Sequence, residues 1–150
     1  MNQSIGKFFS YFLPIIVVLV IYIIISRYIF GVGRADLQEL VLYLHAFIFL
    51  GCAGWALVED EHVRIDIIYK DKSDFYKKIL NFLGLFFFVL PLIFVISFYS
   101  IDFIKLSWVL RESSNEPGGL QTIYLHKTII LLFPLVLLLG AIQQIRDLWK

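Results

Sequence analysis

The sequence is poor in charged residues and has almost no cysteine. Only 17% of its 150 residues are charged, against roughly 25% in a typical soluble domain, and the net charge is +1. The chain therefore lacks the basic field that would attract nucleic acid, and we expect no nucleic-acid partner. The single cysteine, Cys52, excludes an internal disulfide and lies in an apolar run, where a packing role is expected.

The short motifs of common catalytic and nucleotide-binding sites are also missing. The sequence contains no G-x-S-x-G, no Walker loop and no H-E-x-x-H. A G-x-G occurs at residues 31–33, but no strand precedes it and an apolar run follows, so phosphate binding is not expected. We predict that the chain is not an enzyme and has no catalytic residue, no cofactor and no metal site.

Apolar residues, by contrast, make up 60% of the chain, more than the roughly 45–50% of a soluble domain. A helix needs roughly 20 apolar residues to cross a bilayer. Four runs qualify, at about 8–30, 36–58, 79–101 or on to 108, and 123–148. Barrel strands would alternate polar and apolar residues, and these runs do not. The sequence predicts an all-α integral membrane protein in which residues 1–150 form a single domain of four transmembrane helices.

The distribution of lysine and arginine predicts the orientation of the spans. With the N-terminus inside, eight of the 13 basic residues lie on the inner side and five on the outer side. This bias places both termini in the cytoplasm. Pro91 and Pro134 fall inside the third and fourth runs, where we expect kinks, and Pro14 lies near the start of the first.

The second run carries the most unusual residues. It opens with Asp36, Gln38 and Glu39, has His45 near its middle, and then collects small residues at 51–54 and 56. Small residues let helices approach closely in lipid, so this span is expected to pack against a helix of this chain or of a partner.

An ionisable residue inside a membrane is a candidate for function, and His45 leads to two alternatives. A haem or quinone anchor of a redox enzyme could use two histidines, but His45 lies roughly 13 Å and His126 about 4 Å into their spans. A small multidrug exporter would need a membrane-buried acid, whereas Glu39 and Asp102 lie near span ends. Both alternatives stay open at this point.

Two connecting segments have a recognisable pattern. Residues 59–66, EDEHVRID, begin a charged segment that continues into the amphipathic residues 74–84, DFYKKILNFLG. We predict that this segment lies flat at the inner surface. In the outer loop, Pro117 followed by Gly118 and Gly119 predicts a tight turn with positive φ.

In their order, these features resemble the DctQ-like small membrane subunit of tripartite ATP-independent periplasmic (TRAP) transporters. The resemblance covers nearly the whole chain. It is carried by Arg27-Tyr28-x-Phe30, Glu39-Leu40 with Tyr43, the small residues at 51–56, His62 to Asp66, and Glu112 with Pro117 to Leu120.

The resemblance implies a scaffold in the bacterial inner membrane that spans it several times. Its partners would be a large membrane subunit with the substrate and sodium sites, a periplasmic binding protein and membrane lipids. The complex would import an organic acid, a carboxylate or sulfonate such as sialic acid or a C4-dicarboxylate, driven by sodium. The candidate subunit-interface residues are Arg27, Arg34, Glu39, Tyr43, His45, Gly51, Gly54, Trp55, Glu59, His62, Arg64, Asp66, Pro117, Gly118 and Gly119.

Overall fold

The computed structural model describes residues 2–58 and 73–148, and within these ranges all regular secondary structure is helical, with no strand. Its helices are α1 (Asn2–Ser10), α2 (Leu13–Tyr28), α3 (Ala35–Val58), α4 (Asp74–Gly84), α5 (Leu90–Val109), α6 (Ile123–Thr128) and α7 (Leu132–Leu148). A π-helical turn, Leu85–Val89, joins α4 to α5, and a 3-10 turn, Ile129–Leu131, joins α6 to α7. The predicted all-α class is confirmed.

Four helical stretches are long and apolar enough to cross a bilayer, as predicted. They are Ser4–Tyr28, Ala35–Val58, Phe75–Val109 and Ile123–Arg146. The third helical stretch, 35 residues long, extends beyond the predicted run of 79–101 or 108 because it includes α4 in one uninterrupted helical path. Residues 74–84 of the predicted inner-surface segment form α4, which continues into the third apolar helix, and their position at the inner surface stays a prediction. Residues 59–72 of that segment lie outside the described ranges.

Proline explains where the helices depart from α geometry. Pro91 follows the π-helical turn, in which the Leu90 N–H donates to the carbonyl of Leu85. Pro134 follows the 3-10 turn, and Pro14 follows the break between α1 and α2. Because proline lacks an N–H and its ring clashes with the carbonyl four residues earlier, the preceding turn widens or tightens. The irregularities predicted at Pro91 and Pro134 therefore take the form of changed turns.

The second and fourth spans form the centre of the molecule. α3 packs most extensively on α7 and also contacts α1 and α2, while α5 packs on α7. Placed side by side, the four spans therefore follow the order first, second, fourth, third. Of the 18 residues that make up the apolar part of each span, 22% and 28% are buried within the chain in the two central spans, against 6% in each outer span. The outer spans thus leave most of their apolar surface for lipid or a partner.

Small residues set the distance between α1 and α3. A Cβ at Gly51 would lie 2.6 Å from the ring of Phe9, and a Cβ at Gly6 would overlap the ring of Trp55. One turn earlier on α3, Phe47 meets Phe9 edge to face, with ring centroids 4.7 Å apart. Positions 47, 51 and 55, spaced four residues apart, form one face of α3 that is covered by α1.

A second face of α3 lies against the backbone of α7. A Cβ on Gly54 would lie 2.7 Å from the carbonyl carbon of Val136, so only glycine permits this approach. Val136 is buried at this contact, and Leu137 and Ala141 of α7 are buried as well. The close packing expected of Gly51 and Gly54 thus takes place between helices of this chain.

Candidate functional site

Glu39 fastens the long loop, residues 110–122, to the first turns of α3. Its carboxylate accepts a hydrogen bond of 2.6 Å from the Leu120 N–H and another from the Ser114 hydroxyl. The Ser114 N–H donates to the Leu120 carbonyl at 2.9 Å, which closes the loop on itself. Gly119 leaves room for this arrangement, since a Cβ there would lie 2.8 Å from the carboxylate. We call this part of the molecule the 110–122 end.

The tip of the loop is a tight turn. The Gly119 N–H donates to the Glu116 carbonyl at 2.9 Å, and Gly118 between them has φ +79°. Proline at the first central position and a positive φ at the second are typical of a type II turn, which favours glycine there. The turn predicted from Pro117, Gly118 and Gly119 is confirmed, and Pro117 and Gly118 are exposed.

Tyr43 lies one turn beyond Glu39 on the same face of α3 and stacks on His126. The two rings are 4.3 Å apart and inclined by 13°. His45 is two residues further along, which turns it about 200° around the helix from Tyr43. The two histidines therefore lie on different sides of α3, an arrangement that does not suit axial ligands of one haem. Within residues 2–58 and 73–148 no group of three metal-ligating side chains comes together.

A second polar cluster joins the end of α5 to the start of α6. Ser107, only 1% exposed, donates its hydroxyl to Glu112 Oε2 at 2.7 Å. The Lys127 ammonium donates to the same oxygen and lies 4.1 Å from the centroid of the Phe103 ring. The hydrogen bond from Lys127, followed by that from Ser107, holds the pKa of Glu112 below its ordinary value. The sequence had placed Lys127 and Glu112 near the ends of the same loop, but nothing in it had paired them.

Aromatic packing supports this cluster. The Trp108 indole N–H donates to Thr128 Oγ1 at 2.9 Å, and Trp108 lies 4.7 Å from the ring of Tyr124. The Thr128 hydroxyl in turn donates to the Tyr124 carbonyl at 2.7 Å. Trp108 thus links α5 to α6 at the level where tryptophan is enriched in membrane proteins, between hydrocarbon and water.

Two arginines border a groove of about 230 Å³ between the end of α2, the start of α3 and the 110–122 loop. Arg34 makes a two-pronged contact with Asp36, at 3.0 and 2.8 Å, and this hydrogen-bonded partner raises the pKa of Arg34. Arg27 is exposed, and Pro117 lies across the groove from α2. Because Asp36 offsets the charge of Arg34, Arg27 supplies the net positive charge of the groove beside the exposed turn.

The predicted interface residues fall into four groups. One group comes together at the 110–122 end and consists of Arg27, Arg34, Glu39, Tyr43, Pro117, Gly118 and Gly119. A second group contacts other helices of this chain and consists of Gly51, Gly54 and Trp55. His45 is exposed on an open face of α3. Glu59, His62, Arg64 and Asp66 lie outside the described residues.

The family model described as "Tripartite ATP-independent periplasmic transporters, DctQ component" matches residues 16–150. The chain belongs to the DctQ family. The matched residues of this DctQ subunit include α3, α5, α7 and the whole 110–122 end, while α1 precedes them. The family is one of transporter components, and the four spans make the subunit a multi-pass membrane protein. No curated protein and no solved structure matches the chain.

Proposed function

We propose that this DctQ subunit is a scaffold that braces the large membrane subunit of a TRAP transporter in the bacterial inner membrane. The observation that carries the proposal is the fixed 110–122 end, where Glu39 ties the loop to the helix that also forms the centre of the bundle. At Gly54 α3 and α7 approach to backbone contact, which leaves no room for a solute path between them. A tightly packed centre with apolar outer faces suits a brace within a larger membrane assembly.

In this proposal the turn at Pro117 and Gly118 helps to dock the periplasmic binding protein. The turn is exposed, its backbone is fixed by hydrogen bonds, and the groove with Arg27 and Arg34 lies beside it. A surface that is already ordered loses little conformational entropy when a partner binds. Arg27, whose charge is not offset as that of Arg34 is by Asp36, would complement an acidic patch on the binding protein and raise its association rate.

The solute and the driving force belong to the complete transporter. The family description specifies an ATP-independent periplasmic system, and this supports a proposal in which an ion gradient supplies the energy for uptake. We propose sodium-driven import of an organic acid, a carboxylate or sulfonate such as sialic acid or a C4-dicarboxylate, through the large subunit. The expected partners are therefore the large membrane subunit, the binding protein and the surrounding lipids.

Substitution of Gly118 tests the docking role. Gly118→Val places a β-branched residue at φ +79°, where only glycine and, less well, asparagine are comfortable. We expect this variant to copurify with the large subunit but to need more binding protein for half-maximal sodium-driven uptake. Gly118→Asn is the matched control and should behave much like the wild type. Uptake by Gly118→Val with an unchanged requirement for binding protein would contradict the docking role.

A further inference from the structure

Within the described ranges one face of α3 is covered only in part, with Ile48 buried and His45 and Phe49 exposed. Positions 47, 51 and 55 meet α1, and position 54 meets α7. The third face consists of residues 45, 48, 49, 52, 53 and 56, whose spacing of three and four keeps them on one side of the helix. These residues line a cleft of about 470 Å³ that Leu13 of α2 and Phe133 of α7 border on either side. We call it the His45 cleft.

The lining of the His45 cleft is apolar except for one side chain. Cys52, Ala53 and Ala56 are small, so another helix could come close to α3 along this face. Phe49 is 67% exposed at the cleft, an aromatic ring that no other element of the described chain covers. Shape and composition thus suit the side chains of a transmembrane helix.

His45 is the feature that identifies the occupant. It lies ten residues after Ala35, so it is about 15 Å along α3, near the middle of a hydrocarbon core roughly 30 Å thick. The imidazole is exposed and makes no hydrogen bond to any residue that the structure describes. A neutral imidazole carries one donor and one acceptor, and leaving them unpaired in hydrocarbon is costly. Acyl chains cannot pair with either nitrogen.

We infer that the His45 cleft receives a transmembrane helix of the large membrane subunit. A hydroxyl, amide or carboxylate side chain on that helix pairs with the imidazole, and its apolar neighbours fill the space beside Phe49 and Phe133. Polar residues within a membrane characteristically face other helices and bond across the interface. This inference rests on the proposed function, to which it adds the face of the subunit that carries the main contact.

Photo-crosslinking from two equally exposed phenylalanines tests the inference. The complex is assembled with p-benzoylphenylalanine at Phe49 in the cleft or at Phe94 on the third span, which are 67% and 68% exposed. We expect a higher yield of adduct with the large subunit from position 49 than from position 94. Equal or lower yield from position 49, or an adduct there with lipid or with a second copy of this chain, would overturn the inference.

Copurification of the unmodified subunits separates this failure from a failure of the proposed function. If the two membrane subunits do not copurify, the proposed function fails, and the inference fails with it. If they copurify but position 49 gives no preferential adduct, the subunits meet through another face and only the inference fails.

Substitution of His45 tests the hydrogen bond itself. His45→Leu should weaken the affinity for the large subunit about threefold to tenfold, the range for one hydrogen bond between membrane helices. His45→Gln, which can still donate and accept, should retain most of the affinity. Because His45 bonds to no described residue of its own chain, His45→Leu should not lower the unfolding temperature of the isolated subunit. An unchanged affinity, or a lower unfolding temperature of the isolated subunit, would count against the pairing.

Discussion

Glu39 shows how one side chain can order a loop that is distant in sequence. Its two hydrogen-bond partners lie 75 and 81 positions away, at Ser114 and Leu120. The sequence alone indicated that Glu39 would lie near a membrane surface and that Pro117 would begin a turn. It could not indicate that the Glu39 side chain binds the loop that contains Pro117, because a single sequence does not show which distant positions are in contact.

Removing the Glu39 carboxylate should loosen the 110–122 loop. Glu39→Ala leaves the Leu120 N–H and the Ser114 hydroxyl without their acceptor, which should cost about 1 kcal/mol in a partly exposed position. We expect faster hydrogen exchange at the Leu120 amide and in the turn before it. Glu39→Gln keeps one acceptor oxygen and should show a smaller effect. Equal exchange in Glu39→Ala and the wild type would refute the tie between loop and helix.

The cluster of Glu112, Ser107 and Lys127 should make stability depend on pH. The pKa of Glu112 lies below its ordinary value of 4.5, so its contribution is present above about that pH and is lost as the pH falls through the lowered pKa. Glu112→Gln should therefore unfold at a lower temperature than the wild type near neutral pH, and the difference should vanish in acid. A difference that persists or grows as the pH falls would show that Glu112 stabilises the fold by other means.

At the scale of the helices, hydrocarbon thickness made the spans predictable. The second span, predicted at 36–58, runs from Ala35 to Val58. The first and third helical stretches extend beyond the predicted runs, because helical structure continues past the apolar residues into segments that contain Lys7 or Lys77. The neighbour order of the spans was not predictable either, since it depends on which side chains interlock, such as Gly51 with Phe9.

Gly54 should be the position where α3 tolerates a side chain least. In Gly54→Ala the new methyl group meets the carbonyl of Val136, and separating α3 from α7 should cost about 1–3 kcal/mol. Gly84→Ala is the matched control, because a Cβ there has no neighbour within 4 Å and alanine favours the helix. Thermal unfolding of the isolated subunit in detergent measures both. Equal unfolding temperatures for the two variants would contradict the close packing of α3 on α7.

For the whole molecule, an even number of spans predicts that both ends of the chain lie on the same side of the membrane. The excess of lysine and arginine around the loop between the second and third spans predicts that this side is the cytoplasm. Green fluorescent protein fused to the C-terminus should fluoresce, whereas alkaline phosphatase fused there should be inactive. Active alkaline phosphatase at the C-terminus would invert the orientation and place the 110–122 end in the cytoplasm.

The central claim is that this DctQ subunit contributes bracing and docking to a transporter whose solute path lies in the large subunit. The most direct test uses liposomes that contain the large subunit with or without this chain, supplied with the loaded binding protein and an inward sodium gradient. We predict solute accumulation only when both membrane subunits are present. Accumulation at the full rate without this chain would contradict the claim.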